Sequence, residues 1–145
     1  MRSTLVRAFA IGAFAFGAAT MANAQQSAPA ERIVDLGKSE YVAHCAVCHG
    51  STGKGDGYFA GSLRKPIANL TTLSRANGGV FPFARVYDTI DGLPEIQAHG
   101  TRDMPIWGRD FRSMSSNLSP YYNEEALARA KILALTEYVY SLQAK

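Results

Sequence analysis

Cys45, Cys48 and His49 stand in the run Cys45-Ala46-Val47-Cys48-His49, a C-x-x-C-H pattern. Two thiols separated by two residues can reach both vinyl groups of one porphyrin and form thioethers. The next residue then brings an imidazole to the iron as an axial ligand. The chain has only 2 cysteines, so this use consumes both. The pattern therefore assigns one covalent haem c to Cys45 and Cys48, with His49 on the iron. Two other chemistries use similar spacings. A thioredoxin-type redox pair would follow a strand within a βαβ unit, and no such pattern surrounds these residues. A tetrahedral zinc site needs four ligands. It would have to recruit from His44, His49 and His99, because there is no second cysteine pair.

A haem iron has a sixth position to fill, and the chain beyond the motif offers Met104, Met114 and His99. Met104 lies in Thr101-Arg102-Asp103-Met104-Pro105-Ile106-Trp107-Gly108. Pro105 fixes its own φ and biases Met104 toward extended backbone. Trp107 is a candidate wall for the haem pocket, being flat and apolar. A stiff loop suits a weak thioether ligand, so Met104 is the expected sixth ligand. Met114 sits among serines and reads as a surface or core methionine. His99 precedes Gly100 on a polar stretch and reads as exposed. An open sixth position is the remaining alternative.

These groups must be held by helices and loops. A helix is expected over 31–47, with Gly37 and Tyr41 four residues apart on one face. Gly50, Gly53, Gly55, Gly57 and Gly61 then favour a loop, since glycine is costly in regular elements. Short helices are expected over 71–76, closed by Asn77-Gly78-Gly79, and over 83–91, with Gly92 just past the end and Pro94 beyond. The last helix starts at Ser119-Pro120 or at Asn123-Glu124-Glu125. Its apolar stripe reads Leu127, Ala130, Ala134, Tyr138 and Leu142. No alternating run long enough for a sheet is found. The expected class is all-α, with several helices and long glycine-rich loops. A compact domain rarely carries so much irregular chain without a large rigid body to pack it on.

Apolar residues make up 47% of the 145 residues and charged residues 19%, which fits a folded domain and argues against disorder. No apolar run approaches the roughly 20 residues of a membrane-spanning helix. Residues 1–24 read as a secretory signal peptide. Arg2 and Arg7 precede a short apolar stretch from Ala8 to Ala19, and Ala22-Asn23-Ala24 is an A-x-A cleavage site. Cleavage after Ala24 would export the chain to the periplasm. Neither cysteine lies near that site to carry a lipid, so no stable membrane anchor is expected. Residues 25–32 form a short lead-in and 33–145 the domain. Taking the two leader arginines from 15 basic residues leaves 13 against 12 acids, a balance that gives no case for nucleic-acid binding.

Cys45 to Gly50, the following Gly53-Lys54-Gly55-Asp56-Gly57, and Met104-Pro105-Ile106-Trp107-Gly108 together resemble a class I c-type cytochrome of the monohaem, bacterial periplasmic kind. The resemblance covers most of residues 33–143. It implies the small cytochrome c fold, helices wrapped around one haem with the first and last crossing. Gly37 and Tyr41 would meet Leu135 and Tyr138 at that crossing. It also implies a proline carbonyl accepting the other ring proton of His49, with Pro66 the matching candidate and Pro82 the alternative. The strong lysine ring of the mitochondrial protein is missing. The mature chain has Lys38, Lys54, Lys65 and Lys131 besides Lys145. Lys54, Arg64 and Lys65 form at most a modest basic patch, equally readable as a solvated loop.

The implied function is electron transfer, not enzyme catalysis. With His49 and Met104 both on the iron, electrons would pass through the haem edge to redox proteins such as a periplasmic dehydrogenase, an oxidase or a respiratory complex. The chain would be a mobile carrier or a dehydrogenase's cytochrome subunit. The alternative is a haem enzyme or gas sensor with an open or labile sixth position, and a third reading is an assembly partner. Arg75, Arg85 and Arg102 are equal candidates for the haem propionates. Phe81, Phe83, Tyr121 and Tyr122 are expected to pack in the haem pocket, and His44 to lie at the surface.

Overall fold

The computed structural model describes residues 28–63, 65–92, 104–116 and 123–144. Helix α1 (Pro29–His44) opens with proline in its first turn, where the missing N–H costs nothing. Glu31 reaches back to accept the Ala28 N–H at 3.0 Å, so the helix begins two residues before the expected Glu31. It breaks at Cys45, and α2 (Ala46–His49) is one further turn. The glycine-rich run that follows is loop apart from a 3₁₀ turn at Ala60–Ser62, as expected. A second 3₁₀ turn, Leu70–Thr72, leads into α3 (Leu73–Ala76). Gly78 and Gly79 close it with positive φ.

Helix α4 (Phe83–Asp91) has the expected bounds, and Gly92 ends it at φ 82°. Helix α5 (Trp107–Ser116) was not foreseen, because the sequence around Met104 reads as a loop. It buries Gly108, Phe111 and Ser115 at helical steps. Helix α6 (Glu124–Ser141) starts at the second of the two expected places. The Asn123 side chain accepts the Ala126 N–H at 3.2 Å. The other proposed start, Ser119-Pro120, lies outside the described residues, as do the leader and Pro94. No strand occurs among the described residues, and the fold is all-α, as expected.

Helices α1 and α6 cross as expected, with Gly37 at the contact. A Cβ there would lie 2.6 Å from the Ala134 carbonyl carbon and 2.8 Å from the Tyr138 Cβ. The Tyr41 and Tyr138 rings pack beside it with centroids 5.1 Å apart, tilted by 54°. Leu135 joins Tyr41 in the buried cluster, while the closest approach to Gly37 is by Ala134. The stripe expected on α6 is partly wrong. Ala134 and Tyr138 are buried, but Ala130 is exposed, and Ala128, Ile132, Leu135, Thr136 and Val139 are buried instead. Helix α6 packs against α1, α4 and α5, so its buried face is wider than one stripe. Thr136 enters the core because its hydroxyl donates to the Ile132 carbonyl at 2.8 Å.

Candidate functional site

The joint between α1 and α2 places Cys45, and the single turn of α2 places Cys48 and His49. Four backbone bonds then fold the glycine loop back onto that turn. Gly53, Gly55, Gly57 and Phe59 donate N–H to the carbonyls of Gly50, His49, Cys48 and Val47, at 3.2, 2.8, 3.1 and 2.9 Å. Gly57 has to be glycine, since a Cβ there would sit 2.5 Å from the Val47 carbonyl oxygen and the Cys48 carbonyl carbon. From the other side the buried Tyr41 hydroxyl donates to the Gly50 carbonyl at 2.7 Å. The turn that carries the chemistry is thus clamped at both ends.

His49 Nδ1 lies 3.2 Å from the Ala68 carbonyl oxygen. A carbonyl only accepts, so Nδ1 carries the proton and the Nε2 lone pair is left for another partner. The carbonyl expected in this role was that of Pro66, with Pro82 as alternative. Both prolines line the cavity described below, but the bond goes to Ala68. The register is set by the glycine loop. Leu70 donates to the Gly53 carbonyl at 2.7 Å, and Ile67 lies so close to Gly55 that a Cβ there would be 2.6 Å from its oxygen. Chain held at those two points turns the carbonyl of Ala68, one of the two residues between them, toward the imidazole.

Burial pulls the His49 pKa below its ordinary value against the opposing pull of the Ala68 bond, which favours the neutral, ligating ring. Burial pushes the Cys45 thiol up to about 12, with Cys48 and Glu40 adding to the shift. Redox-active cysteines carry depressed values, which Cys45 does not, and no group of three His, Cys, Asp or Glu side chains among the described residues is placed to hold a zinc ion.

A cavity of about 810 Å³ opens against these residues. Cys45, Cys48 and His49 line it together with Met104, Pro105 and Trp107, and its remaining walls are mostly apolar, including Leu70, Val86, Ile90 and Val139. A large flat apolar group with two thiol-reactive substituents and a metal fits this space and this donor set. Met114 lies 46% exposed on α5 and does not reach the cavity, and His99 is outside the described residues. Of the arginines, Arg85 borders the cavity, Arg75 does not, and Arg102 lies outside the described residues.

Two expectations change. Phe81 and Phe83 do not line the cavity but a separate shallow groove with Tyr140, and the Phe81 and Tyr140 rings lie 5.0 Å apart. Helix α4 turns Arg85, Val86, Thr89 and Ile90 toward the cavity, with Pro82 just before it, which leaves Phe83 on another side. Tyr121, Tyr122 and Arg64 lie outside the described residues. His44 is half-buried rather than at the surface. Its ring packs 5.0 Å from Trp107 and 5.5 Å from Phe111, and its Nε2 lies 3.4 Å from Glu40. Glu40 in turn holds Lys131 of α6 at 2.7 Å. The i, i+4 spacing of Glu40 and His44 was a signal for that pair.

A family model for cytochrome c matches residues 34–143. The chain belongs to the cytochrome c family. Members bind covalent haem c, and Cys45 and Cys48 are the only cysteines through which this chain can attach it. Cytochrome c domains transfer electrons through that haem and are in general carriers rather than enzymes. Searches among curated proteins and among solved structures gave no match. No helix among the described residues is long and apolar enough to cross a membrane.

Proposed function

We propose that this cytochrome c is a periplasmic class I monohaem electron carrier, with thioethers at Cys45 and Cys48 and with His49 and Met104 on the iron. The bound haem supplies a one-electron iron couple. The protein's part would be to hold the His49 and Met104 side chains still, so that little rearranges when the charge changes. The Ala68 carbonyl fixes the His49 ring and its tautomer. Trp107 walls the cavity beside Met104. A thioether favours the reduced over the oxidised metal, which raises the potential relative to a second histidine.

The observation that carries this reading is that Met104 opens into the same cavity as Cys45, Cys48 and His49, whereas Met114 faces away from it. An exogenous ligand such as cyanide would then have to displace Met104. The partners are redox proteins: a dehydrogenase, an oxidase or a respiratory complex. The leader directs the chain to the periplasm, and the mature protein begins at Gln25. The test is reaction of the purified oxidised protein with cyanide, alongside redox titration. Slow cyanide binding with fast, reversible one-electron exchange supports a carrier, and immediate cyanide binding contradicts it. N-terminal sequencing of the periplasmic protein should begin at Gln25 or its cyclised form, and intact Met1 in a membrane fraction would contradict export.

A further inference from the structure

Met104 is separated from His49 by a long stretch of chain, so something must aim its sulfur. The backbone just after it is gripped by the end of α4. Gly92 has φ 82°, and a Cβ there would overlap the Ile106 side chain, lying 3.1 Å from its Cβ. Gly108 is buried, and a Cβ there would overlap the Asp91 carboxylate and come 2.5 Å from the Asp91 carbonyl oxygen. Two glycines thus let the end of α4 and the start of α5 approach more closely than any side chain would permit.

Asp91 explains why they meet. An acid in the last turn of a helix is disfavoured by the helix dipole, and burying it adds a desolvation cost. Its side chain is nevertheless only 11% exposed. The compensation comes from α5. Arg112 Nη2 donates to Asp91 Oδ1 at 2.9 Å, and the carboxylate lies against the first turn of α5, where negative charge is favoured. Arg112 Nε donates in turn to Glu125 of α6 at 2.5 Å, so one guanidinium ties three helices.

We propose that Asp91, Gly92, Gly108 and Arg112 form a buckle that positions Met104 for the iron. They are positioning residues: none needs to touch the haem. The inference rests on Met104 being the sixth ligand. With Ile106 and Gly108 pinned to α4, and Pro105 restricting the backbone between, Met104 has few directions left for its side chain. Loosening the buckle leaves Cys45, Cys48 and His49 in place, because their clamps are the glycine loop and Tyr41.

The test uses the oxidised holoprotein and reads the far-red methionine-to-ferric-iron band, the rate of cyanide binding, haem retention by intact mass, and helix content by far-UV circular dichroism. Gly108→Ala and Asp91→Ala should keep haem and helix content, weaken the band and bind cyanide at least tenfold faster. Arg112→Lys should recover part of what Arg112→Gln loses. Arg129→Gln cuts only the outer pair with Glu125 and should behave as wild type. Met104→Ala is run in parallel. If Met104→Ala keeps the band, the ligand reading fails and the buckle with it. If Met104→Ala loses the band while Asp91→Ala and Gly108→Ala bind cyanide at the wild-type rate, the ligand stands and the buckle is refuted. Should Gly108→Ala fail to fold, Asp91→Ala decides alone.

Discussion

Replacing Gly37 by alanine adds one methyl group at the tightest point between α1 and α6. The new Cβ would meet the Ala134 carbonyl carbon at 2.6 Å and the Tyr138 Cβ at 2.8 Å. Neither neighbour is the free end of a flexible side chain, so the two helices have to separate. Overpacking by one methyl costs about 1–3 kcal/mol, and a backbone obstacle places this case in the upper half, at about 2–3 kcal/mol. Alanine returns about 1 kcal/mol of helix propensity within α1. The net loss is therefore about 1–2 kcal/mol. For a chain of this size that lowers the melting temperature by about 4–8 °C. The control is Gly61→Ala. Nothing lies within 4 Å of a Cβ there, and its φ is not in the left-handed region. It should be neutral or raise stability by about 0.4–1 kcal/mol. Thermal melts of the oxidised holoproteins by far-UV circular dichroism decide the matter. A Gly37→Ala protein melting at or above wild type would refute the close crossing.

Two other outcomes follow from the same contacts. Tyr41→Phe removes one of the two hydrogen bonds that the buried Gly50 carbonyl accepts, the other coming from the Gly53 N–H, and should cost about 0.5–1.5 kcal/mol in urea denaturation, with the haem retained. Hydrogen bonds from Arg112, then Arg129, hold the Glu125 carboxyl at about 2 against an ordinary 4.5. The folded value is the lower one, so this contribution is complete above about pH 4.5 and is lost as pH falls toward 2. Because Glu125 is well exposed, the contribution is small and screened by salt. Melting temperatures of wild type and Glu125→Gln should differ at pH 5, converge toward pH 2, and lie closer together at high salt. A gap that widens on acidification would contradict the pairing.

What could be read in the sequence is what local chemistry encodes. Cys45, Cys48 and His49 are neighbours in the chain, so one short pattern brings them together. Gly92 and Asn123 mark helix ends because a left-handed cap and an amide oxygen acceptor are properties of single residues. Helix α5 was missed for the opposite reason. Trp107, Phe111 and Met114 are its only large apolar residues, and two of the three residues it buries are Gly108 and Ser115. Ser115 tolerates the core because its hydroxyl donates to the Phe111 carbonyl at 2.8 Å. The Ala68 carbonyl was invisible because every residue has one, and only the folded path of the loop selects it. His44 looked like a surface residue because the Trp107 and Phe111 rings come beside it only once α5 has packed against α1 and α6.

Which side chain joins His49 on the iron decides between an electron carrier and an open haem. The most direct measurement is the far-red absorption band of the oxidised protein, which reports a methionine sulfur on ferric iron. It should be present in wild type and in Met114→Ala and absent in Met104→Ala, where the haem is retained and the reduction potential falls. A band that survives Met104→Ala, or that vanishes in Met114→Ala, would contradict the assignment.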